Sequence, residues 1–311
     1  MGDAQVITLG SIAVIVAIGL DTIIGEPPAF IHPVALFGQL IDIVDRSYDN
    51  PNIVGILIAT TLPVGFGIVT ATSVYIVFSV NSQLGAFAAG CVLFTLISLR
   101  LLLRTVHDVV MMTTADVSAA RYELRALAGR DASELDAAHI RSAAVESAAE
   151  NLADGFIGPL LAFTLFAPVS VSIGVAGAAW VKAINTLDSM LGYRSKPIGT
   201  ASARLDDIIM WVPARLTAAL LSVAAGHPLL PLRQQVRADA AQTASPNAGW
   251  PMATIAALLP ARLHKPDTYE LRTSASLPDK SVATYAIQIT RRAGVIAIVL
   301  TITILEGITW L

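Results

Sequence analysis

Residues Trp180 to Leu220 read WVKAINTLDSMLGYRSKPIGTASARLDDIIMWVPARLTAAL, with apolar runs enclosing Lys182, Asn185, Asp188, Arg204, Asp206, Asp207 and Arg215. A charge at bilayer depth costs several kcal/mol unless it is paired or hydrated, so a fold that keeps such residues lines a cavity with them. Lys182, Asn185 and Asp188 recur at helical spacing beside Trp180, which puts them on one helix face. Arg194 and Lys196 read instead as loop charges between two helices.

The whole chain fits a membrane setting. Of its 311 residues 55% are hydrophobic and 14% charged, and its mean hydropathy is +0.68. Soluble domains average roughly a quarter charged residues, so this is the composition of an integral membrane protein. The single cysteine, Cys91, lies in an apolar run and excludes a disulfide framework or a thiolate metal cluster. A formal charge of −3 without a long basic run argues against nucleic acid as a partner. Met1 to Asp3 carry no positive charge, so the first apolar segment is expected to be retained as a helix rather than removed as a signal peptide.

Val6 to Ile24 is the first expected transmembrane helix, running into Asp21 and then GEPPAFIHPV. Gly25, Pro27, Pro28 and Pro33 end that helix in an extended loop, where Asp21, Glu26 and His32 gather. Two carboxylates and a histidine could ligate a metal or handle a proton, and an interfacial loop histidine reads the same way. Ile53–Val80 and Leu84–Leu103 form an expected hairpin, with Arg100 and Arg104 snorkelling at its end. Thr105 to Ala149 is a polar, helix-friendly insertion broken at Gly129, and most of its charges read as a solvated face. Arg104, Arg121, Arg125, Arg130 and Arg141 place it in the cytoplasm by the positive-inside rule. Gly155–Phe166 is short and expected to be re-entrant or tilted, Val169–Leu187 crosses, and Ile208–Ala225 follows Asp206 and Asp207. Pro260–Arg292 reads as a basic cytoplasmic loop and Ala293–Leu311 as the last helix. The expected fold is all-α: a polytopic helical membrane bundle of about five to eight segments, some re-entrant, forming one domain over residues 1–311.

Two further motifs carry chemistry. Glu146, Glu150 and Asp154 are spaced four apart and stack on one helix face, where like charges repel unless a cation sits among them. Ser245, Pro246, Asn247 and Gly249 make a turn whose hydroxyl, amide and backbone N–H donors suit a phosphate. The chain has no Walker-type loop, no GxGxxG after a strand, no HExxH and no GxSxG. Carboxylates, amides and arginines without a histidine-activated nucleophile suit binding of Mg²⁺ and phosphates more than acyl-enzyme chemistry. The residues alone point to a membrane enzyme or transporter with a cytoplasm-facing polar cavity.

Six blocks in order make the chain resemble the CobD/CbiB family of adenosylcobinamide-phosphate synthases. They are LDTIIGEPPAFIHPVALFGQLI at 20–41, RDASELD at 130–136, ESAAENLADGFIGPL at 146–160, KAINTLDSMLGY at 182–193, SARLDDIIMWVPARLTA at 202–218 and SPNAGWPMA at 245–253. Three positions depart from the pattern: Glu26 stands where many members have Asp, Thr243 where a histidine is expected, and the 194–202 loop is shortened.

The resemblance implies an enzyme that uses ATP and Mg²⁺ to join a propionate carboxylate of adenosylcobyric acid to the amine of aminopropanol phosphate or ethanolamine phosphate. The corrinoid brings its own cobalt. It further implies residence in the cytoplasmic membrane, contact with the lipid bilayer and neighbouring membrane-bound enzymes of the late pathway. On this reading Glu146, Glu150, Asp206, Asp207, Asp21 and Glu26 are the expected metal ligands, and Asp206, Asp207, Glu150 and Lys182 the expected catalytic set. Asn185, Asp188, Arg204, Arg215, Ser245, Asn247 and His32 are the expected substrate and phosphate contacts. The competing class is a corrinoid-binding transporter or an AmpE-like signalling membrane protein without ligase activity, for which an internal repeat would speak; none is found.

Overall fold

The computed structural model describes residues 3–125, 127, 132–193, 195–273 and 275–307, with side chains from residue 8 onward. The expected break at Gly129, the charges Arg130 and Arg194 and the start of the 130–136 block lie outside the described residues. In chain order the helices are α1 (Asp3–Ile23), α2 (Pro33–Val44), α3 (Pro51–Val80), α4 (Ser82–Leu96), α5 (Arg100–Met112), α6 (Val117–Leu124) and α7 (Ala137–Leu152). A π-helical turn, Ala153–Ile157, leads into α8 (Gly158–Phe166), α9 (Val171–Leu191) and, after a 3₁₀ turn at Pro197–Gly199, α10 (Thr200–Ile209). There follow α11 (Trp211–Ala224), α12 (Leu229–Ala240), α13 (Gly249–Leu258), a two-stranded antiparallel hairpin of β1 (Leu263–Lys265) and β2 (Tyr269–Leu271), and α14 (Lys280–Gly307).

The protein is an all-α polytopic membrane protein. Pro51–Val80, Ser82–Met112 and Lys280–Gly307 are long and apolar enough to cross a bilayer, and Pro197–Ile209 with Trp211–Ala224 makes a fourth span if the broken pair counts as one. Pro33–Val44 and Gly249–Leu258 are apolar but shorter, and α1 is apolar over Thr8–Ile23. The last helix starts earlier than its hydropathy suggests. Arg291 and Arg292, expected in a basic loop, lie inside α14, because helix length is set by backbone hydrogen bonding and not by where the side chains turn apolar.

The chain divides into two compact units. The first comprises Met1–Ser98, Gly158–Met210 and Ile298–Leu311. Its centre is α9, which packs on α3, α8 and α10. Ala183, Leu187 and Leu191 repeat every four residues and bury against Phe37 and Ile41 of α2, Ile58 of α3 and Ile198. Burial of this stripe turns Lys182, Asn185 and Asp188 onto another face of the same helix. Gly25 ends α1: its φ of +78° is the left-handed geometry that favours glycine, and its N–H reaches the Leu20 carbonyl at 3.2 Å.

The second unit comprises Leu99–Ile157 and Trp211–Ala297. Here α7 is enclosed by α5, α13 and β1, and everything from Ser142 to Ala149 is buried. The expectation of a solvated face therefore fails for α7. It holds for Asp108 on α5, which pairs at 3.7 Å with the exposed Arg104 one turn before it.

Candidate functional site

In the first unit the polar residues collect around α9 and α10. Asn185 is buried, Lys182 and Asp188 are half-buried, and Asp206 and Asp207 on α10 are half-buried as well. Arg204 is exposed. The Asp188 and Asp207 carboxylates are close enough to act on each other as like charges. The described ends of the connection from α9 to α10 are closely packed. Gly192 donates its N–H to the Asp188 carbonyl at 2.7 Å, and a Cβ there would strike the Asp188 carboxylate. A Cβ at Gly199 would strike the Leu191 carbonyl. Lys196, expected as a loop charge, forms an ion pair with Asp45 at the end of α2 and ties the connection down.

Asp21 is buried at the end of α1, while Glu26 and His32 pair in the loop that follows, at 2.8 Å. His32 Nδ1 accepts the Val34 N–H at 3.2 Å, which puts the ring proton on Nε2, facing Glu26 Oε2. His32 thereby caps α2, and both its nitrogens are engaged within the loop.

The second unit holds Glu146, Glu150, Arg215, Ser245 and Asn247. Glu146 is fully buried; Ser142 donates to its Oε1 and Tyr269 to its Oε2, both at 2.8 Å. The Ser142 Oγ in turn accepts the His264 backbone N–H at 2.8 Å, which links α7 to the hairpin. Glu150 is half-buried one turn on, and Asp154 falls in the π turn. A π turn takes more residues than an α turn, so the column of three acids spaced four apart is interrupted at its last member. At the other end of α7, Asp136 accepts the N–H groups of His139 at 2.9 Å and Ala138 at 3.0 Å. The His139 amide, aided by its imidazole, holds the Asp136 carboxyl below the ordinary carboxylate range.

Arg215 lies between two indoles, its guanidinium carbon 4.3 Å from the Trp211 ring centre and 4.9 Å from that of Trp250. It donates to the Trp211 carbonyl at 2.8 Å and to Asn247 Oδ1 at 3.0 Å. Arg215 and Asn247, far apart in sequence, are thus brought together. The 245–249 segment is a turn, but two of its N–H groups are not free: those of Asn247 and Ala248 both donate to Ser245 Oγ, at 3.2 and 3.3 Å. A short hydroxyl side chain competes for local backbone donors, and here it has taken them.

The sequence reading missed Ser142, Tyr269, Trp211 and Trp250 as partners of these groups. Ser142 was legible, since it stands four residues before Glu146 on one helix. Tyr269 comes from a hairpin that no pattern in the sequence ties to α7.

Among the described residues, no group of three or more His, Cys, Asp or Glu is placed to hold a metal ion. Asp188 and Asp207 supply hard, half-buried carboxylate oxygens, donors that fit Mg²⁺, a cation commonly held by one or two carboxylates plus waters and substrate phosphates.

The CobD/Cbib protein family matches residues 14–310. The chain belongs to the CobD/CbiB family. Among relatives, the probable cobalamin biosynthesis protein CobD of Methanothrix thermoacetophila is 34% identical over 298 residues, 92% of this chain and 94% of the relative. The cobalamin biosynthesis protein CobD of Photorhabdus laumondii is 37% identical over 272 residues, 80% and 81% of the two chains. That of Rhodobacter capsulatus is 35% identical over 277 residues, 84% and 83%. No solved structure matches. The blocks that carry the CobD/CbiB resemblance include all of α10 after its first two residues and the turn that seats Arg215.

Proposed function

We propose that this CobD/CbiB family member is an enzyme of cobalamin biosynthesis. Its reaction is an ATP- and Mg²⁺-dependent amide ligation between a propionate carboxylate of adenosylcobyric acid and the amine of an aminoalkyl phosphate. The observation that carries the reading is the α9–α10 packing: Lys182, Asn185 and Asp188 stand on the helix that packs against α10, which bears Asp206 and Asp207, within a membrane protein.

A carboxylate does not condense with an amine unaided. In the route we favour, a propionate oxygen attacks the terminal phosphorus of ATP and ADP leaves. The neutral amine nitrogen then attacks the acyl carbon, the carbon–oxygen bond to phosphate breaks, and inorganic phosphate departs. The nitrogen loses its proton to one of the α10 carboxylates. Lys182 neutralises phosphate charge as a point cation and Asn185 orients a phosphate or carboxylate oxygen by donating to it. Holding acid and amine in contact supplies much of the acceleration. Bound Mg²⁺ would be held by Asp188 and Asp207 and would supply charge neutralisation at the phosphates. On this reading the chemistry faces the cytoplasm, in keeping with the basic polar segments and the positive-inside rule.

The test is amide formation by the purified protein with corrinoid, ATP and either aminopropanol phosphate or ethanolamine phosphate. Asp207→Asn is expected to abolish it, and wild-type-like turnover would remove Asp207 from the site. Oxygen-18 placed in the propionate is expected to appear in inorganic phosphate. Its failure to do so would sink the acyl-phosphate route.

A further inference from the structure

Beyond the end of α11 the second unit has a cavity of about 370 Å³, lined by His227, Leu232, the Ala257–Pro260 end of α13 and Arg272. Arg272 has a φ of +58°, the left-handed region, which a residue with a Cβ keeps only where its surroundings hold it there. They do: its N–H donates to Asp239 Oδ2 at 3.3 Å, and its Nη1 donates to the carbonyls of Ala256, Ala257 and Leu259. One nitrogen of the guanidinium thus caps the end of α13. Its Nη2 edge has no protein partner among the described residues, and neither has the exposed imidazole of His227. Among the described residues, no acid lines the cavity. The neighbouring Asp239 is engaged by the Arg272 amide and by Gln242.

The surroundings add a direction. The apolar α11 ends at Ala224, and α12 starts five residues later with Leu230 80% exposed and Arg233 and Arg237 both exposed along the same helix. A bare leucine beside basic side chains is the pattern of a helix lying in the headgroup layer of a bilayer.

We propose that this cavity takes the phosphodiester of an anionic phospholipid. A phosphate, which only accepts, matches the two unengaged donors of Arg272 and His227. The walls of Leu232, Leu258 and Leu259 take the glycerol and upper acyl carbons, while Arg233 and Arg237 favour a lipid with net negative charge. A free phosphate would use the donors and leave the apolar walls and Leu230 idle. The proposal is independent of the amide-ligase reading.

The test is native mass spectrometry of the full-length protein in mild detergent, titrated with phosphatidylglycerol or phosphatidylcholine. Phosphatidylglycerol is expected to bind roughly fivefold or more tightly than phosphatidylcholine, given the worth of each basic group near an anionic headgroup. His227→Asp removes no hydrogen bond and sets a carboxylate where the phosphate would sit, so it should reduce phosphatidylglycerol to the phosphatidylcholine level. Gln83→Asp, at the exposed start of α4, should leave the preference intact. Arg272→Gln should weaken binding too; if circular dichroism shows that it loosens α13, His227→Asp carries the test alone. Equal binding of the two lipids, or a preference that survives His227→Asp, overturns the proposal. Displacement of phosphatidylglycerol by an equal excess of inorganic phosphate would show that phosphate alone is read, and overturns the lipid assignment.

Discussion

Tyr269 donates its phenolic hydrogen to the buried carboxylate of Glu146 at 2.8 Å, across 123 residues of chain. The bond fastens the β1–β2 hairpin to α7 at a point where a carboxylate oxygen has no water to turn to. Removing the donor takes one hydrogen bond from a fully buried carboxylate. Tyr269→Phe is expected to cost about 1–3 kcal/mol, the usual penalty for a buried polar group deprived of its bond. Thermal unfolding in detergent reads it, and an unchanged midpoint would mean that the bond contributes nothing net.

Arg215 combines two hydrogen bonds with stacking on Trp211 and Trp250. Lysine keeps the charge but has no plane to stack between the two indoles, and its shorter, single-nitrogen head must move to keep the two bonds that Nη1 makes. Arg215→Lys is therefore expected to lower stability by about 1–2 kcal/mol and to shift tryptophan emission. Spectra and melting curves that overlay the wild type would refute it.

Two glycines make a matched pair. A Cβ at Gly192 meets the Asp188 carboxylate and carbonyl, whereas a Cβ at Gly65, inside α3, meets nothing within 4 Å. Gly65→Ala should stabilise by about 0.5–1 kcal/mol through helix propensity. Gly192→Ala should destabilise and, on the proposed function, reduce turnover as well. Equal effects would mean that the Gly192 contact is readily relieved.

The Asp136 carboxyl is depressed in the folded protein, chiefly by the His139 N–H. A depressed acid contributes stability that is present above its ordinary value and lost as the pH falls through the folded one. The melting temperature of the wild type should thus decline between about pH 5 and pH 3 more steeply than that of Asp136→Asn, which no longer titrates there. Parallel declines would remove Asp136 as a source of the acid sensitivity.

If Asp188 and Asp207 hold Mg²⁺, removal of divalent cation should stop amide formation and its return restore it. Asp188→Asn should raise the Mg²⁺ concentration needed for half-maximal rate roughly tenfold, about 1.4 kcal/mol of binding. A half-maximal concentration that does not move would take Asp188 out of the metal contact.

The membrane class and the shared face of Lys182, Asn185 and Asp188 were legible because both follow from local rules: hydropathy over a helix length, and a period of 3.6. The α7 acids were half legible. Their spacing announced a column, but burial of Glu146 depends on α5, α13 and β1 closing around it, and such closure is a long-range property. The π turn at Ala153–Ile157 was invisible for the same reason, since no propensity separates it from α-helix. The 245–249 segment is legible as a turn, but not which of its N–H groups are taken locally, because Ser245 can serve its own backbone or a ligand and the sequence does not say which.

The short connection between α9 and α10 has one more consequence. Glycines at 192 and 199 let the backbone pass where a Cβ would strike Asp188 or the Leu191 carbonyl. The course of the chain next to Asp188 is therefore settled when the protein folds. A ligand arriving beside that carboxylate would find the two glycine positions already closed down and no backbone there left to arrange.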